Sequence, residues 1–180
     1  MKYLYVVSIT IVLWVCVQLT LLYLDSKSLD KSIKVNHHKY DLMLTGLLNR
    51  NVPEIDVETL SAHLGDYQLL DSRSKEEYIV SHISKAIWVG YDDFHLERIQ
   101  SLTLQTPIVV YCSVGYRSEK ITQRLQKAGF QKVYNLYGGI FEWVNQGHRV
   151  VNSSEQVTKR IHAYNKIWGL WVHQGDKVYK

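Results

Sequence analysis

In the stretch VVYCSVGYRSEKI, residues 109–121, a cysteine closes an apolar run and an arginine follows five positions later. Cys112 falls where the strand-like run PIVVY ends and a helix-like pattern begins. In an open parallel sheet, ligands bind beyond the carboxyl ends of strands, where the next helices start. A loop CSVGYR curling ahead of a helix turns several backbone N–H groups toward one point, and the helix dipole stands behind them. Such a nest holds an anion and favours Cys112 as a thiolate nucleophile. Gly115 lets the loop close without a Cβ clash. Arg117 adds a permanent cation whose planar donor fork suits an oxyanion. The bland alternative is a buried free cysteine, a small hydrophobe at the end of a core strand. The glycine, the arginine and the helix start together tip the balance toward a reactive thiol.

The elements around the loop alternate between helix and strand signals. DVETLSAHL starts with Asp56 as an N-cap and places Val57, Leu60 and Leu64 on one face. YQLLD reads as a short strand, SKEEYIVSH as a helix from near Ser74, and AIWVG as a strand. DDFHLERIQSL predicts a helix with Phe94, Ile99 and Leu102 in phase, and PIVVYC a strand buried on both faces. SEKITQRLQKAG predicts a helix with Ile121, Leu125 and Ala128 inward, ended by Gly129. KVYNLYGG is a strand with a glycine turn, and IFEWVNQG a last short helix. The alternation predicts an α/β domain whose sheet is mainly parallel.

Charged residues at 21% and apolar residues at 46% are globular proportions, enough to bury a core. The net charge of +4 is mild and its lysines and arginines are dispersed, which argues against nucleic acid as a partner. Cys16 and Cys112 are too few for a disulfide framework or a cysteine zinc site, and no metal or cofactor is expected.

Residues 4–24 are uncharged and, at about 1.5 Å per residue, would form a helix of roughly 30 Å, the thickness of a bilayer core. They predict a single-pass anchor in the lipid bilayer over 1–24. A cleaved signal peptide is the alternative; against it, the apolar run is long and no small-x-small site precedes DSKS. Lys27, Lys31 and Lys34 set against Lys2 lean toward a cytoplasmic domain, whereas a short basic leader leans toward export, so the side stays open. Residues 25–53 read as a juxtamembrane linker plus a short amphipathic helix, with Tyr40, Leu44, Leu47 and Leu48 on one face.

Three motifs, in order, resemble the rhodanese-like family over residues 54–150. LLDSRSKEEYIVSHISKAIWV is similar to its entry signature through Asp71, Arg73, Glu77 with Tyr78, His82 with Ile83, and Ala86. YCSVGYRS is similar to its active-site loop, and VYNLYGGIFEWVNQG to its closing Gly-Gly-x-x-x-Trp element. Ser81 stands where the family usually has glycine, which makes the local turn less permissive. The resemblance implies a three-layer α/β fold, a mainly parallel central sheet flanked by helices. It also implies a sulfurtransferase in which Cys112 cycles between thiolate and persulfide. The donor would be a small anionic sulfur compound such as thiosulfate and the acceptor a thiol or cyanide, with no protein partner specified. Arg117 would bind the donor; Ser113, Val114, Gly115, Tyr116 and Ser118 would line or tune the loop. A cysteine phosphatase is the enzymatic rival, but its cradle needs five residues between cysteine and arginine. Here four intervene, Ser113 to Tyr116, a ring better suited to one sulfur atom. The non-catalytic alternative is a membrane-tethered binding or sulfide-sensing module.

Asp71 and Arg73 read as an ion pair bracing the loop, His82 as a turn cap and Trp143 as core. Residues 151–180 form a C-terminal extension in which Trp168, Leu170, Trp171 and Val172 are too apolar for a loose tail. They are expected to pack back on the domain.

Overall fold

The computed structural model describes residues 11–21 and 35–179, which fall in two units. The first holds helix α1, residues 11–21. Among the described residues no helix is long and apolar enough to cross a membrane. The expected single-pass anchor and its membrane localisation are thereby corrected. The remainder of the 4–24 stretch, residues 4–10 and 22–24, lies outside the described residues.

The second unit is built on a parallel five-stranded sheet of order β1-β5-β4-β2-β3. The strands are β1 (Glu54–Ile55), β2 (Gln68–Asp71), β3 (Ile87–Trp88), β4 (Ile108–Tyr111) and β5 (Val133–Leu136). Central β4 is buried along its whole length and pairs Val110 with Leu70 on one side and Asn135 on the other. Because side chains alternate across a strand, its residues split between two cores. Val109 and Tyr111 join α2 (His38–Leu47), α3 (Val57–Ala62) and α6 (Gly139–Asn145). Ile108 and Val110 join Ile121 and Leu125 of α5 (Tyr116–Lys127). The result is the three-layer α/β arrangement expected.

Local chemistry explains most boundaries. The Asp56 side chain accepts the Thr59 N–H and starts α3. Ser74 and Glu77 form a reciprocal capping box that starts α4 (Lys75–Val80). The helix expected over DDFHLERIQSL is only a 3₁₀ turn, Leu96–Ile99. There the Arg98 guanidinium donates to the Val89 and Asp93 carbonyls, clamping the chain in a turn that a longer helix would have to break. Helix α5 starts two residues ahead of the expected SEKI segment, so Arg117 sits in its first turn. Ala128, expected inward, is its exposed C-cap. Ser81 is extended, with φ −168°, a conformation open to any residue, so glycine is not required there.

Segments on both sides of the motif region complete this unit. Tyr40 and Leu44 of α2, and Leu48 after it, are buried in the first core. The C-terminal segment packs back through Ile161, Ala163 and Val172, and Trp171 stacks on Tyr40 at 5.4 Å. It carries strands β6 (Val150–Val151), β7 (Val157–Thr158), β8 (Arg160–His162) and β9 (Asp176–Val178), the last two paired in parallel. Leu170 remains 69% exposed on the 3₁₀ turn Trp168–Trp171.

Beneath the loops at the carboxyl end of β2 lies a fully buried ion pair. Arg73 Nη2 meets Asp71 Oδ2 at 2.6 Å and also donates to the Ser81 carbonyl at 2.6 Å. Removing one partner of such a pair leaves an uncompensated buried charge. Arg73→Met should therefore lower unfolding free energy by about 3–5 kcal/mol in urea titrations. The double change Asp71→Leu with Arg73→Met should cost less than Arg73→Met alone.

Candidate active site

Cys112 directly follows β4 and is 1% exposed. Gly115, the N-cap of α5, has φ 116°, a left-handed value that favours glycine, and it aims its N–H at Cys112 Sγ at 3.1 Å. Of the backbone N–H groups expected to converge on the sulfur, this one bonds it directly. Ser118 Oγ lies 3.5 Å from Sγ but only 2.6 Å from Asn135 Oδ1. A hydroxyl has one proton, and the shorter contact to Asn135 takes it. Asn135 Nδ2 in turn donates to the Gly115 carbonyl at 3.2 Å. Ser118 and buried Asn135 thus hold the turn that delivers the Gly115 N–H.

The loop is pinned from below by the N-terminus of α6. The Ile140 N–H donates to the Cys112 carbonyl at 2.9 Å and the Phe141 N–H to the Ser113 carbonyl at 3.1 Å. Gly139 permits this approach: a Cβ there would stand 2.5 Å from the Cys112 carbonyl oxygen. The second glycine of the closing motif is therefore a steric requirement of the cysteine loop.

Arg117 is committed to a partner. Its Nη1 and Nη2 meet the two carboxylate oxygens of Glu77 at 2.7 and 2.8 Å, a bidentate pair. Ser113 Oγ donates to Glu77 Oε1 at 2.9 Å and accepts from Arg117 Nη2 at 3.0 Å. The fork expected to meet an anionic donor is closed on a carboxylate. Burial opposes the charge of Glu77, but Arg117, Arg73 and the Ser74 N–H outweigh it and hold its pKa at about 2. For Arg117, burial disfavours the cation, yet Glu77 and Cys112 push its pKa above the ordinary range.

A cavity of about 550 Å³ opens above the sulfur. Of the expected site residues, Cys112, Ser113, Val114, Tyr116 and Arg117 line it, whereas Gly115 and Ser118 act from behind the loop. Glu77 lines it as well, although along the sequence it stands out only as part of a motif. Its spacing from Ser74 signals a capping box, but nothing along the chain signals its pairing with a residue 40 positions away. His162, Tyr164 and Trp168 of the C-terminal segment also reach the cavity. His82 does not: it is buried against Tyr78, with ring nitrogens 3.0 Å from the Tyr78 carbonyl and Glu155. Trp143 is core, its indole N–H donating to the Arg149 carbonyl. Among the described residues no cluster of histidine, cysteine or carboxylates could hold a metal ion.

A thiol at the carboxyl edge of a parallel sheet, in a loop closed by a following helix, defines a class, and comparison supplies its name. The chain belongs to the rhodanese-like domain family, which it matches over residues 56–146. It is 33% identical over 103 residues to a sulfurtransferase of Allochromatium vinosum, covering 56% of this chain and 95% of that protein. It is 38% identical over 112 residues to a probable molybdopterin-synthase adenylyltransferase of Porphyra purpurea, covering 59% of this chain. The chain spans only 29% of that protein's length. Among solved structures, the rhodanese-like domain of an Anabaena protein superposes with TM-score 0.52 at 26% identity, covering 56% of this chain and 79% of that one.

The Glu77–Arg117 pair makes acid sensitivity predictable. The folded carboxyl has its pKa at about 2 against an ordinary 4.5, so its stabilisation is complete above 4.5 and is lost as pH falls toward 2. Glu77→Gln should lower stability at neutral pH by about 3 kcal/mol, the cost of leaving Arg117 unpaired. The same variant should lose less further stability than wild type between pH 4.5 and 2. Denaturant unfolding across that range measures both effects.

Proposed function

We propose that this rhodanese-like domain is a sulfurtransferase that carries a sulfane sulfur on Cys112. The observation behind this reading is the position of Sγ: under a cavity, accepting the Gly115 N–H, at the carboxyl end of the central strand. Sulfurtransferases among its relatives support the same reading.

With thiosulfate as donor, the Cys112 thiolate attacks the outer sulfur. The sulfur–sulfur bond of the donor breaks, and sulfite leaves with the electron pair. An acceptor nucleophile, cyanide or a thiol, then attacks the outer sulfur of the persulfide, and Cys112 leaves as a thiolate. This two-step displacement gives ping-pong kinetics. The Gly115 N–H is placed to stabilise negative charge on Sγ, both before attack and as the thiolate is regenerated. Arg117 serves chiefly as a positioning residue, because Glu77 neutralises most of its field and together they fix Ser113.

After treatment with thiosulfate the protein should gain the mass of one sulfur atom on Cys112 and lose it on adding cyanide. Cys112→Ser should fold normally, gain no sulfur, and retain less than about a tenth of wild-type turnover, because a hydroxyl cannot form the persulfide. A wild-type protein that never gains sulfur would mark the domain as a non-catalytic module.

A further inference from the structure

The cavity above Cys112 has a wall that the family region does not supply. His162 ends β8, Tyr164 follows it, and Trp168 opens a 3₁₀ turn, all beyond residue 146 where the family match ends. With Tyr91 and Tyr116 they form the aromatic part of a lining that also carries Leu47, Val114, Glu77, Asp92 and Arg117. A volume of about 550 Å³ falls within the roughly 300–1,000 Å³ typical of pockets for organic ligands. An inorganic donor such as thiosulfate would leave most of it unfilled.

The wall is held in place by specific bonds. The Ile167 and Trp168 N–H groups both donate to Asn165 Oδ1 at 3.0 Å, and pairing of β8 with β9 backs the segment. Tyr164 adopts φ 62°, unusual for an aromatic residue, which sets its ring under the Arg117 guanidinium at 5.4 Å. The Tyr164 N–H donates to His162 Nδ1 at 3.2 Å, so the neutral imidazole carries its proton on Nε2. Among the described residues no acceptor meets that Nε2–H. Burial lowers the His162 pKa, and Arg73 and Arg117 lower it further against Glu77 and Glu76, which favours the uncharged ring.

We propose that the segment after residue 146 builds an acceptor subsite for a small aromatic thiol, whose ring packs on Tyr164 and Trp168 and whose thiolate takes the His162 Nε2–H. This rests on the sulfurtransferase reading. The thiol gives its proton to solvent, and the thiolate attacks the outer sulfur of the protonated Cys112 persulfide. A sulfur–sulfur bond forms to the acceptor and the bond to Cys112 Sγ breaks, with the electron pair returning to Sγ. The acceptor leaves as a hydropersulfide.

The test begins with protein loaded with sulfur from thiosulfate and desalted, then discharged in a single turnover by thiophenol or by cyanide. Trp168→Ala and His162→Phe, checked for folding by circular dichroism, should each lower the thiophenol-to-cyanide rate ratio about tenfold. A ratio within about twofold of wild type in both variants would overturn the subsite. Binding is read separately with thioanisole, which cannot accept sulfur, by saturation-transfer NMR on unloaded protein. A signal in wild type that Trp168→Ala loses supports the subsite even if Cys112 never loads, an outcome that would defeat only the sulfurtransferase reading. No signal in wild type overturns the subsite.

Discussion

One carboxylate ties the site together. Glu77 begins α4 by accepting the Ser74 N–H at 3.0 Å, and its two oxygens also receive both Arg117 nitrogens and the Ser113 hydroxyl. Four charge-assisted bonds converge on a side chain that is 1% exposed. Burial alone would drive this carboxyl toward neutrality, so the arrangement holds only because α4, the cysteine loop and α5 present their donors together. Helix α4 and the loop are short, and the shared carboxylate makes their placement against α5 cooperative.

The second constraint is steric. The cysteine loop rests on the N-terminus of α6, which donates backbone N–H groups to the carbonyls of Cys112 and Ser113. That contact fixes the loop from the side opposite the cavity and leaves the Gly115 N–H for the sulfur. The loop is therefore set by backbone on both sides, and side chains such as Ser118 and Asn135 hold the turn rather than the sulfur. A site set by backbone tolerates variation of its lining. The same floor can then serve different ligands according to what the surrounding segments place above it.

Those segments lie outside the family region. Leu47 ends α2 on one side, and His162, Tyr164 and Trp168 stand on the other. Both flanking stretches are anchored in the first core, through Tyr40 and Leu44 before the domain and Ile161, Ala163 and Val172 after it. The Tyr40–Trp171 stack joins them directly. The cavity is thus shaped by residues far apart in the chain, brought together by a shared apolar core.

The sequence by itself determined four of the five strands of the parallel sheet but not the edge strand Glu54–Ile55, together with the buried central strand, the position of Cys112 at its carboxyl end and a glycine at 115. These follow from local pattern and from residue type, because alternation, capping and backbone sterics act over a few neighbours. The same local rules overreached for the helix at 92–102, where Arg98 bonds to carbonyls made available only by the folded chain. They overreached again at the N-terminus, where uncharged composition over 4–24 implied a span, whereas among the described residues no helix is long and apolar enough to cross a membrane. Tertiary structure alone decided that Arg117 closes on Glu77, that Gly139 must lack a Cβ, and that the C-terminal segment walls the cavity. Each of these joins residues tens of positions apart, or sets a contact across layers. Such pairings depend on how the sheet and helices pack in space, which no local pattern encodes.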